Sequence, residues 1–167
     1  MIRATPTMRA LAGRLISFET RVNSSSQQGR AGRLRPAATT DHGVRRAACP
    51  AFPVCEKLRP PLETLMGSVG FHSLFSRALV LAGSEVAWLR AVSIKADGSW
   101  EGLDEVEAPV DAEQMTEGTI ILVAQLLGLL STFIGERLTL VLVREVWPTV
   151  PLDDLDFGNG GKYEKAK

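Results

Sequence analysis

Residues suited to metal binding or catalysis are scarce in this chain of 167 residues, which has two cysteines and two histidines. Cys49 and Cys55 enclose the sequence PAFPV. That spacing is not the C-x-x-C of a zinc knuckle or a thiol redox pair, and no second pair completes a site. The expectation is two separate reduced thiols, since a disulfide would require an oxidising compartment that nothing else indicates. His42 falls in a polar stretch. His72 sits beside Phe71 and one turn before Phe75 and Ser76, with no assignable nucleophile or orienting acid, so it reads as a core or boundary histidine rather than a base.

The signatures of common enzymes are also missing. The chain holds no G-x-x-x-x-G-K-[ST] loop, no G-x-S-x-G elbow and no H-E-x-x-H pair. GNGGK (158–162) has the composition of a phosphate loop, but neither a strand before it nor a helix after it, and reads as linker. No cofactor and no metal is therefore expected.

Lysine is absent from residues 1–47, which instead contain nine arginines and only Glu19 and Asp41 as acids, roughly +7. The net charge of the whole chain is zero, so the remainder carries roughly −7. Large apolar residues are few between 22 and 46, and such a stretch cannot offset the entropy of ordering its backbone. Residues 1–47 are accordingly expected to be a disordered basic leader, and 158–167 a disordered tail. The start of the leader has a second reading. Met8, Leu11, Leu15 and Phe18 fall near helical spacing among Arg3, Arg9 and Arg14, as in an organelle transit peptide. Arginine-rich leaders also attract phosphate without reading sequence. No aromatic residues are interleaved for stacking, however, and specific nucleic-acid binding is not expected.

One folded domain is expected over 48–157, mainly α, with about four to five helices and one short β-hairpin near 92–102. Val54, Leu58, Leu62 and Leu65 form one stripe of a first helix, in which Pro60-Pro61 predicts a kink or a restart. Gly67 and Gly70 mark a bend. Phe71, Leu74, Phe75, Ala78, Leu79 and Ala82 continue the helical period up to Gly83. A short turn at 85–91 carries Trp88 as an anchor. Val92, Ile94 and Ala96 then alternate, and Asp97-Gly98 is a strong hairpin signal that places Trp100 on the second arm.

Charge is missing altogether from GTIILVAQLLGLLSTFIG (118–135), which lies between Glu117 and Glu136. Asp111 and Gln114 resemble a capping box for a helix entering this run. The β-branched cluster at 119–124 would suit a strand, but the run is too long for one. Eighteen uncharged residues reach the lower bound for a membrane span. Gln125, Thr119, Ser131 and Thr132, together with flanks that carry no basic cluster, favour a soluble core helix instead. Small residues at 124, 128 and 132 would permit close helix approach in either setting. Gly135 breaks the run. The next helix, 136–147, is expected to turn Leu138, Leu142 and Val146 inward and to stop at Pro148.

The most distinctive polar stretch is 101–117. It contains Glu101, Asp104, Glu105, Glu107, Asp111, Glu113 and Glu117 without one basic residue. Its oxygen spacing does not match an EF-hand loop. The plain reading is a solvated surface, and the functional one is docking to a basic protein partner or to the chain's own leader. Together these features suggest a cytoplasmic, non-enzymatic interaction or regulatory module acting as a homodimer or as a subunit of an assembly. The alternatives are a membrane-associated subunit spanning at 118–135, a matrix protein of an organelle, and an enzyme with a dispersed carboxylate site.

Overall fold

The computed structural model describes residues 4–28, 51–96, 100–102 and 111–153. Helix α1 spans Pro6–Gln28 and α2 spans Ala51–Glu85. A 3-10 turn (Ala87–Ala91) leads into strands β1 (Ser93–Ile94) and β2 (Trp100–Glu101). Helices α3 (Ala112–Ile134) and α4 (Glu136–Val146) complete the fold. The architecture is mainly helical with a two-stranded antiparallel hairpin, as the periodicity predicts.

Helix α3 is the hub. Ile121 to Leu127, Leu129 and Leu130 are all buried, so its apolar circumference is met by protein on nearly every side. Asp111 caps it as expected, its carboxylate accepting from the Gln114 amide at 2.8 Å. The run therefore begins as a helix with a satisfied first turn, and the strand alternative at 119–124 is not adopted.

The basic leader requires a correction. Residues 6–28 are not a free tail but helix α1, whose Met8, Leu11, Ala12, Leu15, Ile16 and Glu19 form one buried stripe. The stripe repeats at i, i+3, i+4 and i+7, the spacing that seats a helix on a core. Composition hid this, because the polar segment that follows lowers the average over 1–47. The folded body thus begins at the start of the described chain, while residues 29–47, 154–157 and the tail 158–167 lie outside the described residues.

Three polar ties fix α1. Arg9 pairs with Glu85 at the end of α2, and the other oxygen of Glu85 accepts from Gln125 of α3 at 2.8 Å. Arg14 donates to the Pro151 carbonyl at 2.7 Å. Glu19, only 1% exposed, accepts from Lys57 of α2 and, at 2.6 Å, from the indole N–H of Trp147. Buried polar groups are tolerable when paired in this way, and each pair fixes the register between elements.

Helix α2 bends at one interior position. Gly67 has φ 76° and ψ 168°, whereas Pro60 and Pro61 stay within helical geometry. The bend expected at Gly67 is present, at a residue that tolerates a positive φ without strain, and the kink or restart expected at the prolines is not. The bend is sharp. The Arg59 guanidinium lies 5.9 Å from the centre of the Phe71 ring. A straight helix would separate these two residues by about 18 Å along its axis.

The hairpin pairs Ser93 with Glu101 and Ile94 with Trp100. Asp97-Gly98, the turn dipeptide, lies outside the described residues. So short a ribbon needs support. Trp100 stands edge-on to Phe75 at 4.9 Å and 82°, and the His72 Nε2 contacts the Ile94 carbonyl at 3.0 Å. Trp88 lies against Gly118 at the start of α3.

Helix α4 packs Leu142 and Val146 against the core as expected, but not Leu138. Thr139 and Val143 face the core, followed by Trp147, while Leu138 and Val141 are exposed. Gly135, between α3 and α4, has a positive φ of 87°. The Thr139 hydroxyl donates to the Gly135 carbonyl at 2.9 Å, which makes a polar residue acceptable inside.

Candidate functional site

The bend at Gly67 and the turn at Gly135 lie at the same end of the bundle. There Leu65 and Met66, just before the bend, approach Leu74 after it, and Phe133 and Ile134 close the opposite side. The result is a groove of about 640 Å³. Leu74 is buried and forms the floor, whereas Leu65 and Phe133 are exposed lips. Met66 packs directly on the backbone of Gly70, where a Cβ would sit 3.0 Å from the Met66 Cβ and Cγ. Its polar edge is Ser73 and, one helical turn on, Arg77.

Next to the groove, the exposed face of α4 carries Leu138 (56% exposed) and Val141 (58%), while Phe133, 70% exposed, precedes the turn. Arg137, Arg144 and Glu145 are exposed on the same side of the helix, so the two aliphatic side chains have charged neighbours. Leu65 was expected on the inward stripe with Val54, Leu58 and Leu62. It is 53% exposed instead, in the last turn before the bend at Gly67.

The acidic residues singled out from sequence do not converge on one site. Glu101 is exposed and faces Lys95 across the hairpin at 3.6 Å. Asp111 is occupied as the α3 cap. Glu113 and Glu117 are exposed on the first turns of α3, and Asp104, Glu105 and Glu107 lie outside the described residues. Glu117 does share a depression with Arg9, Trp88 and Gln114. The acid that Arg9 actually engages is Glu85, which lies outside the acidic run.

Among the described residues no cluster of three metal-ligating side chains occurs. Cys55 is buried, while Cys49 and His42 lie outside the described residues. The small-residue stripe at 124, 128 and 132 is not a point of close approach either. A Cβ on Gly128 would meet nothing within 4 Å. The tight contact is at Gly118, where a Cβ would fall 2.4 Å from the Trp88 ring. Sequence reasoning missed the groove because it is made by two backbone breaks, and only their individual positions were readable.

What these features define is a class: a small helical bundle with an apolar groove and an exposed aliphatic face at one end. Comparison with known proteins narrows it no further, since no family model, curated protein or solved structure matches the chain significantly.

Proposed function

We propose that the chain is a non-enzymatic interaction or regulatory module that associates, as a homodimer or as a subunit of an assembly, through the outer face of α4. The observation that carries this reading is the pair Leu138 and Val141, exposed beside the charged side chains of Arg137, Arg144 and Glu145. Apolar residues grouped in this manner gain when a partner removes them from water, and the surrounding charges set orientation. Glu113 and Glu117, exposed on the first turns of α3, offer a secondary contact for a basic partner.

The test is the mass of the species carrying the chain, measured by light scattering on purified protein and by detergent-free fractionation of native lysate. The expected result is a particle larger than the 18.1 kDa monomer. The double variant Leu138→Glu/Val141→Glu should return it to monomer mass while keeping its helical circular dichroism. Monomer in both preparations, or an assembly indifferent to the double variant, refutes the proposal.

One observation favours a second reading, that of a membrane-associated subunit. Val54–Glu85 and Glu113–Ile134 are both long and apolar enough to cross a bilayer. That reading predicts a chain that pellets with membranes and resists extraction by carbonate.

A further inference from the structure

The groove at the α2 bend combines features that specify a ligand. Its volume of about 640 Å³ falls in the range of small-molecule sites, roughly 300–1,000 Å³. Its walls are aliphatic and aromatic, with Leu65, Met66, Leu74, Phe133 and Ile134 turned toward the space. Among the described residues, one charged side chain lines it, Arg77, and no carboxylate does. Among the described residues, Arg77 has no hydrogen-bond or ion-pair partner, in contrast to Arg9, Arg59 and Arg144, each paired with an acid. An uncompensated cation at the edge of an apolar slot is complementary to a molecule with an anionic end and a hydrocarbon body.

We propose that this groove binds a free single-chain amphiphile with an anionic head, of the fatty-acid class. The guanidinium of Arg77 donates to the carboxylate in a two-pronged contact, and the Ser73 hydroxyl, one turn earlier on the same helix, donates a further bond. The alkyl chain lies over Leu74 between the lips formed by Leu65 and Phe133. The bend at Gly67 makes the slot, because a continuous helix would carry Leu65 and Met66 away from Leu74. A cationic head would face a like charge, and a neutral one would forgo the charge-assisted bond to the exposed guanidinium. The site adds a ligand to the association reading and does not depend on it, since it uses none of the residues of the α4 face.

The experiment is calorimetric titration of the full chain with dodecanoate below its micelle concentration, and in parallel with dodecyltrimethylammonium, which has the same tail and the opposite head. Dodecanoate is expected to bind saturably at a single site, and the cation at least about tenfold more weakly. Arg77→Gln should weaken dodecanoate about three- to tenfold and abolish the preference between heads. Leu65→Glu, on an exposed lip, should eliminate binding while circular dichroism stays unchanged. The proposal is overturned if no saturable binding occurs, if both heads bind equally, or if Arg77→Gln leaves the affinity unaltered. It is equally overturned if the chain binds phosphatidylcholine–phosphatidylglycerol vesicles but not free dodecanoate.

Discussion

Glu19 provides the sharpest test of how the amino-terminal helix belongs to the body. Its carboxylate is buried beneath α1 and receives the Trp147 indole N–H and the Lys57 ammonium, so one side chain joins α1, α2 and the end of α4. Replacing it by leucine keeps an apolar volume in place but removes the acceptor. Trp147 is itself only 1% exposed, so its N–H would be left without a partner in a site water does not reach. That costs about 1–3 kcal/mol. Losing the contact to Lys57 adds at most about 1 kcal/mol, because the lysine side chain is 44% exposed and can turn back to solvent. The expected destabilisation is about 1–4 kcal/mol, read as a lower urea midpoint at unchanged slope, or as a fall in Tm of about 2–4 °C per kcal/mol. In a Trp147→Phe background the unpaired donor no longer exists, and Glu19→Leu should then cost about 1 kcal/mol or less. A Glu19→Leu protein within about 0.5 kcal/mol of the parent would refute the reasoning, since it would mean that α1 does not dock where the buried stripe places it.

Four further substitutions probe the joints of the fold. Gly102→Ala should cost about 3 kcal/mol or more in denaturant titration, because φ is +86° and the new Cβ would lie 1.8 Å from the Ala91 carbonyl oxygen. Gly118→Ala should displace Trp88, lowering stability by about 1–3 kcal/mol and shifting tryptophan emission. Gly128→Ala, in open space within the same helix, should instead stabilise by about 0.5–1 kcal/mol. Asp111→Ala removes the α3 cap, and a loss of about 1 kcal/mol in urea unfolding is expected.

Local signals in the sequence carried much of this architecture. The apolar period from Phe71 to Ala82, the Asp111–Gln114 cap and the alternation around Ile94 each name their own element, because a few neighbouring residues decide the outcome. The docking of α1 was less accessible. Met8, Leu11 and Leu15 show a helical stripe, but nothing nearby says what the stripe meets, and the arginines between them resemble a targeting segment. Those arginines gain their meaning from residues far along the chain: Arg9 from Glu85, and Arg14 from Pro151. Long-range pairing leaves no periodic trace. The groove was hidden for a related reason. Gly67 and Gly135 were visible as breaks, but the direction in which each turns the chain depends on dihedral angles that the residue type permits without specifying.

The polar pairs bear on why α3 is apolar all round and yet contains Gln125. That side chain is only 2% exposed, and its amide donates to Glu85, which in turn engages Arg9. A lone amide within a hydrocarbon environment would be costly, and an apolar residue would fill the position more simply. Joined to a carboxylate and a guanidinium from two other helices, it fixes the rotation of α3 about its own axis, which a uniformly greasy surface cannot do. Leucine at 125 would leave Glu85 with Arg9 alone and the core intact in volume. Stability should therefore change little, while the packing around α3 becomes less specific and its amide protons exchange faster with solvent. Unchanged exchange in Gln125→Leu would show that the apolar contacts alone set the rotation, and the three-residue tie would then be incidental to the fold.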